Sequence, residues 1–256
     1  MNNPKISIVT VVFNAEKTIA QAIESVVNQT YGNIEYIVVD GKSTDNTLAI
    51  IQSYSTQISH CVSEPDKGLY DAMNKGVALA SGDVVGILNA DDFLADNTVI
   101  EKIANLFAQN PGIDAVSTDV AIYKGEDFSK PWRYYAAKSF RKWQFLMGIQ
   151  PPHPGFYVKR EFYEKYGNYR TDFRIAADFD LMLRFIYIHA CKVLYSPILS
   201  VKMRDGGISS KDFKSKLRMN QEVQKSLSDN KLPAYRIFIW LKYCIKIWQL
   251  VFVPKS

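Results

Sequence analysis

Residues 83 to 92 read Asp-Val-Val-Gly-Ile-Leu-Asn-Ala-Asp-Asp, an apolar run that stops at an amide and two adjacent carboxylates. A short apolar run of this kind fits a strand buried on both faces. Carboxylates are costly in an apolar setting unless something pairs with them. At the C-terminal end of a parallel strand they face a ligand crevice. Hard oxygen ligands at such an edge suit Mg²⁺ or Mn²⁺ carried in with a phosphate. The plainer reading is helix capping, with Asp92 or Asp96 capping the helix that follows. The rest of the chain bears on the choice.

Residues 5 to 13 (KISIVTVVF), 34 to 40 (IEYIVVD), 58 to 63, 83 to 89 and 113 to 120 predict strands. Between them, residues 16 to 29, 69 to 80 and 97 to 109 predict helices, and Thr44 is positioned to cap another that runs to about Tyr54. This alternation implies an α/β fold with a doubly wound, mainly parallel sheet and helices on both faces. The pattern changes after about residue 120, where aromatics crowd in and Pro151, Pro152 and Pro154 break any helix. A strand-like GFYVK then leads into a helix over 160 to 166. Residues 121 to 210 therefore read as a ligand-shaping half continuous with residues 1 to 120, followed by an extension over 211 to 256.

The net charge of +5 is unevenly placed, since residues 211 to 256 hold ten Lys and Arg against three Asp and Glu. The main domain is therefore slightly acidic, which argues against a nucleic-acid-binding core and for an acidic surface meeting one end of the chain. Cys61, Cys191 and Cys244 are far apart and argue for a reducing compartment. The N-terminus has no signal-peptide pattern, and no apolar stretch is long enough to predict a spanning helix. There is no GxGxxG after the first strand and no GxxxxGK[ST], which disfavours nicotinamide-binding and P-loop chemistry. The Gly-rich basic opening loop of a sugar nucleotidylyltransferase is also missing.

Polar residues gather where the predicted strands end: Asn14, then Asp40, then Glu64 and Asp66, then Asn89, Asp91 and Asp92. In a doubly wound sheet these ends share one edge, where ligands bind. Ser43, Thr44 and Asp45 can cap the turn after the second strand, so Asp40 is expected to be free for a ligand hydroxyl or base edge.

The segments SIVTVVFNAEKTIAQAIESVVNQTY, IEYIVVDGKSTDNT and EPDKGLYDAMNKGVALASGDVVGILNADD, followed by HPGFYVKREFYEKYGNYRTDFRIAADFDLMLR, resemble the family 2 inverting glycosyltransferases with the GT-A fold. The resemblance spans roughly residues 5 to 210. The EPDKGLYDAMNKG version is similar to enzymes that build bacterial O-antigen, capsule and other envelope polysaccharides. It implies transfer of a sugar from a nucleotide-diphosphate donor, UDP by preference, to a hydroxyl of a saccharide or lipid-linked acceptor. A divalent cation, Mn²⁺ or Mg²⁺, would assist. In this reading residues 1 to 120 bind the donor and residues 121 to 210 the acceptor.

The resemblance also implies roles for particular residues. Thr10, Val12 and Asn14 would line the nucleotide site, and Asp40 would hydrogen-bond the nucleoside. Asp66 and Lys67 would close over the nucleotide, although Lys67 also fits a solvated turn. Asn89, Ala90, Asp91 and Asp92 occupy the DXD-type motif, with Asn89 replacing its first acid. The metal is expected on Asp91, with Asp92 behind it or on the sugar. Asp178 in IAADFDLMLR would be the general base; its plainer reading is a helix N-terminal acid favoured by the macrodipole. Asp180 is the rival base, about 200° round the helix from Asp178, so only one of the two should face the site. His153 is a candidate for the metal or diphosphate, against a structural role. Arg204, with Gly206 and Gly207, fits a loop reaching the diphosphate, or an ordinary surface turn.

Residues 234 to 253 are aromatic, apolar and basic, which fits a helix lying in a membrane interface. The alternative is packing on the catalytic domain or on a second protomer. A cytoplasmic chain, peripheral at the inner face of the membrane, is the expectation. The competing function is a nucleotide-sugar-binding subunit without catalysis, supported by the missing acid at Asn89.

Overall fold

The computed structural model describes residues 3–206 and 213–234. Four parallel strands form the first half: β1 (Ile6–Val12), β2 (Ile34–Asp40), β3 (His60–Ser63) and β4 (Val84–Asn89). Helices α1 (Ile19–Val27), α2 (Thr47–Ser53) and α3 (Leu69–Leu79) connect them. Beyond β4 come β5 (Phe93–Leu94), α4 (Val99–Gln109), β6 (Ala115–Tyr123) and β7 (Arg133–Tyr135). Then follow β8 (Phe156–Lys159), α5 (Glu161–Tyr166), α6 (Ala177–Met182), β9 (Val193–Arg204) and α7 (Phe213–Asp229). The sheet order is β3-β2-β1-β4-β8-β6-β9-β5, with β7 paired to β6.

Side chains alternate between the faces of β1, as the two-residue period of a strand requires. Val9 and Val11 pack with α3 residues such as Met73 and Val77, while Ile6 and Ile8 pack with Ile19 and Ile23 of α1 and Ile100 of α4. Both faces of the sheet are thereby covered, which is why these strands are apolar throughout.

The GFYVK strand, whose direction the sequence left open, enters antiparallel between β4 and β6, so the two halves share one sheet. Gly86 makes this possible, because a Cβ there would lie 2.6 Å from the Tyr157 ring. One departure from the sequence expectation is local. Helix α2 starts at Thr47 and not near Thr44, because Asp45 Oδ1 accepts the Thr47 N–H at 3.0 Å and keeps residues 44 to 46 in a turn.

Helix α7 packs on α6 and the segment before it, which its charge-rich sequence did not announce. Ser226 donates to Asp180 at 2.7 Å, and Glu222 accepts three successive backbone N–H groups, those of Arg174, Ile175 and Ala176. The membrane-interface expectation falls on residues 235 to 253, which lie outside the described residues, as does Gly207. Among the described residues, no helix is long and apolar enough to cross a membrane.

Candidate active site

The C-terminal ends of β1 to β4 share one edge because these strands run parallel in adjacent register, with Val12 opposite Asp40, Asp40 opposite Ser63, and Val11 opposite Asn89. Asn14 follows β1 with φ +49°, a left-handed conformation that asparagine tolerates. From there it ties two loops together. Its N–H donates to Ser43 Oγ at 2.8 Å, and its Oδ1 accepts the Thr44 N–H at 2.9 Å. The exposed Phe13 ring beside it (62% accessible) offers a flat apolar face at this edge. Sequence reading passed over Phe13 as the last apolar residue of a strand.

Asp40 is not free, contrary to expectation. It is fully buried, and both oxygens are engaged: Ser43 Oγ donates to Oδ1 at 2.5 Å and Ser63 Oγ to Oδ2 at 2.6 Å, with the Ser43 N–H shared between them. The neighbouring Ser43 does not replace Asp40 as a cap; it donates to it. Thr10 is also drawn inward. It lies inside β1, paired on both sides, and its buried hydroxyl accepts from Tyr36 at 3.1 Å. Val12, the last residue of β1, is buried as well.

Asp66 bends back over the end of β2. Its Oδ1 accepts the Gly68 N–H at 2.8 Å. A Cβ on Gly41 would lie 2.3 Å from Asp66 Oδ2, so the carboxylate rests where only glycine leaves room. Lys67 is exposed beside it.

At the end of β4, Asp91 is exposed, while Ala90 and Asp92 are buried. Asn89 Nδ2 donates to Asp92 Oδ2 at 3.0 Å, but Asn89 Oδ1 and Asp92 Oδ1 are both buried with no donor among the described residues. Such groups are rare and call for a ligand or ion. Burial raises the Asp92 carboxyl well above the ordinary carboxylate range, and the adjacent Asp91 charge adds to the rise. Asp91 is also raised, by partial desolvation, against the pull of Arg204. Arg204, at the end of β9, reaches this corner from far along the chain. It donates to the Asp91 backbone oxygen at 3.0 Å and to Gln21 Oε1 at 2.5 Å, and its guanidinium lies 4.9 Å from the Phe128 ring centroid. Gly206, next in this segment, has φ +113°.

Among the described residues, no three His, Cys, Asp or Glu side chains form a protein-only cation site. A Mg²⁺-type site needs only one or two carboxylates when substrate phosphates complete its shell. Asp91, with the donor-less oxygens of Asn89 and Asp92 nearby in sequence, fits that chemistry. The expected metal role of His153 finds no support in its surroundings. The ring is buried, edge-on to Tyr169, and its Nε2 is hydrogen-bonded to Tyr169 Oη at 2.8 Å. Burial lowers its pKa against the pull of Asp178, which favours a neutral ring.

The two aspartates of α6 part company as their spacing requires. Asp180 is fully buried, bonded to Arg184 Nε at 2.8 Å and to Ser226, with Arg170 3.7 Å away. Asp178 is only partly buried. Its Oδ2 accepts from Gln150 Nε2 at 2.7 Å and its Oδ1 from Tyr70 Oη at 3.3 Å. Tyr70 also donates to the Ile175 carbonyl at 2.7 Å. Since Tyr70 lies in the first turn of α3 just after Asp66 and Lys67, it joins the Asp178 segment to the edge where the parallel strands end. Neither Tyr70 nor Gln150 was singled out in the sequence, because nothing local marks a partner about a hundred or thirty residues away.

Comparison with known proteins agrees with this architecture. An uncharacterized glycosyltransferase of Mycobacterium tuberculosis is 34% identical over 184 residues, covering 71% of this chain and 68% of that one. A PGL/p-HBAD biosynthesis glycosyltransferase of Mycobacterium bovis is 28% identical over 231 residues, covering 87% and 88%. Among solved structures, S. aureus TarS 1-349 in complex with UDP-GlcNAc superposes with a TM-score of 0.70 at 14% identity, covering 98% of this chain and 76% of that one. The Pyrobaculum calidifontis mannosyltransferase PcManGT, in complex with GDP-Man and Mn²⁺, gives 0.65 at 18% identity, covering 93% and 69%. The Glycosyl transferase family 2 model matches residues 7–174. The chain therefore belongs to glycosyltransferase family 2 and carries its GT-A fold.

Proposed function

We propose that the chain transfers a hexosyl or N-acetylhexosaminyl group, with inversion, from a UDP-sugar to a hydroxyl of a saccharide or lipid-linked acceptor in surface polysaccharide assembly. The observation that carries this reading is the pair of buried, donor-less oxygens at the end of β4, Asn89 Oδ1 and Asp92 Oδ1. They lie next to an exposed Asp91 on the edge where four parallel strands end. The UDP-GlcNAc complex of TarS supports the choice of donor, and the Mn²⁺ of PcManGT supports a divalent cation.

In this reading Phe13, Asn14 and the Asp66–Lys67 turn border the nucleotide. Asp40 acts indirectly, by holding Ser43 and Ser63 and so shaping the floor of that site. Asp91 would hold Mn²⁺ or Mg²⁺, which when bound stabilises charge on the diphosphate leaving group. Arg204 adds positive charge at the same corner and fixes the Asp91 backbone. Asp178 accepts the proton of the acceptor hydroxyl as its oxygen attacks C1. The C1–O bond to the diphosphate breaks on the opposite face, and its electron pair leaves with UDP. Asp180 is excluded as the base because Arg184 and Ser226 already engage it. The basic stretch after residue 234 would bring the enzyme to an anionic membrane surface on the cytoplasmic side.

The test is thermal-shift binding of UDP, GDP and TDP, with and without Mn²⁺, on wild type and Asp91→Ala. A Mn²⁺-dependent shift with UDP, lost in the variant, is the expected result. No shift with any nucleotide sinks the donor-site reading.

A further inference from the structure

We propose that Gln150 recognises the acceptor: its amide nitrogen steadies the base, while its carbonyl oxygen receives a hydroxyl of a pyranoside seated at the adjoining cleft. This rests on Asp178 being the base. The chemistry of Gln150 is fixed by what it faces. Its Nε2 lies 2.7 Å from Asp178 Oδ2, and only an N–H, not a carbonyl, can face a carboxylate oxygen at that distance. The amide orientation is thereby set, and Oε1 must be the other atom. That Oε1 is buried and accepts from no group among the described residues. A buried amide oxygen left without a donor is unfavourable, so a hydroxyl arriving from outside has a ready partner there.

Gln150 also lines a small cleft, with Arg133, Tyr135, Ser139, Gln144 and Pro152. The cleft holds about 60 Å³. That is room for a hydroxyl or hydroxymethyl substituent of a sugar whose ring rests at the mouth of the cleft. Strand alternation places Arg133 and Tyr135 on one face of β7, and the guanidinium lies 4.3 Å from the Tyr135 ring centroid. The cleft wall is thus held by a stacked pair. A single glutamine contacts both the base and the cleft. It can therefore select which acceptor hydroxyl meets Asp178 by binding a neighbouring substituent of the same sugar.

The test is saturation-transfer NMR on the full chain with UDP present, using both anomers of methyl glucopyranoside, galactopyranoside and mannopyranoside as probes. UDP affinity is measured separately by calorimetry. At least one glycoside should bind wild type. Gln150→Met, which removes both polar atoms at similar length, should weaken that glycoside by about ten-fold, the loss expected for one hydrogen bond. Gln150→Glu, which sets an oxygen against Asp178 in place of the N–H, should weaken it as well. UDP affinity should be unchanged in both variants. Equal glycoside binding by Gln150→Met, or no binding of any glycoside by wild type that still binds UDP, overturns the proposal alone. Failure of wild type to bind UDP overturns the donor-site reading and this proposal with it.

Discussion

Glu35 and Asp92 are both buried carboxylates in the same fold, 3% and 2% exposed, and their surroundings have opposite effects. Glu35 sits near the N-terminal ends of the parallel strands, opposite Ser7 in the register. Its Oε1 receives Lys5 Nζ at 2.8 Å and Ser81 Oγ at 2.6 Å; its Oε2 receives Ser7 Oγ at 2.6 Å and the Ser81 N–H at 2.7 Å. Burial pushes the carboxyl up, but these donors together outweigh it and hold the pKa at about 2. Asp92, just past the C-terminal end of β4, accepts from Asn89 Nδ2, and its other oxygen has no side-chain donor among the described residues. Burial dominates there and the pKa rises. The N-terminal edge is completed from within the chain, whereas the β4 corner is left incomplete at a cost in stability. Unsatisfied groups of this kind gather at functional sites.

The largest expected effect tests the C-terminal edge. Asp178→Asn should lower sugar transfer by about 10²–10⁴-fold, the scale of general base catalysis, with UDP affinity unchanged by calorimetry. Equal turnover would remove Asp178 as the base. Next comes the opposite edge. Glu35→Ala leaves Ser7 and Ser81 without their acceptor and should cost about 1–3 kcal/mol in urea unfolding. Nucleotide binding by the folded protein should be unaffected.

Asp92→Asn should have the opposite sign. It removes a charge that the native state disfavours and should stabilise the fold by about 1–2 kcal/mol at neutral pH, while weakening donor binding. A loss of stability would mean that Asp92 is satisfied after all.

The pH dependence sharpens the contrast. Glu35 has a lowered native pKa, so its contribution is full above the ordinary glutamate range and is lost as pH falls toward about 2. Asp92 has a raised native pKa, so the native state holds its proton more tightly. Its penalty grows as pH rises from the ordinary range through that raised value. Unfolding measured from about pH 3 to about pH 8 should therefore show the advantage of Asp92→Asn shrinking toward acid. An advantage independent of pH would refute the assignment. The smallest effect is expected for Gly41→Ala. Its Cβ would displace Asp66 and should weaken UDP binding by about three- to ten-fold with little change in melting temperature.

Much of the fold was legible because β1, β2 and β4 are covered on both faces and so must be apolar throughout, each ending where the sheet ends. The helices α1, α3 and α4 advertise their buried faces at helical spacing. The separation of Asp178 from Asp180 followed from helix geometry alone. What was misjudged involved partners distant in sequence. Asp40 was expected to be free because Ser43 to Asp45 were counted as caps for the turn, yet Ser63, on the neighbouring strand, and Ser43 itself both donate to it. The Tyr169 hydroxyl that engages His153 is equally invisible to local pattern.

The sequence by itself determined the strand-helix alternation and the edge at which the polar strand ends collect, because periodicity and strand termination are local consequences of burial. The motifs between residues 7 and 174 likewise sufficed to identify the family. Only the tertiary structure decided which carboxylates are satisfied and which are not. It inserted β8 antiparallel between β4 and β6, brought Arg204 to Asp91, set Gln150 against Asp178, and laid Glu222 of α7 across the backbone before α6. Each of these is a pairing between segments far apart in the chain. Such a pairing leaves no periodic trace in either segment, since the geometry of the donor and acceptor exists only once both are packed.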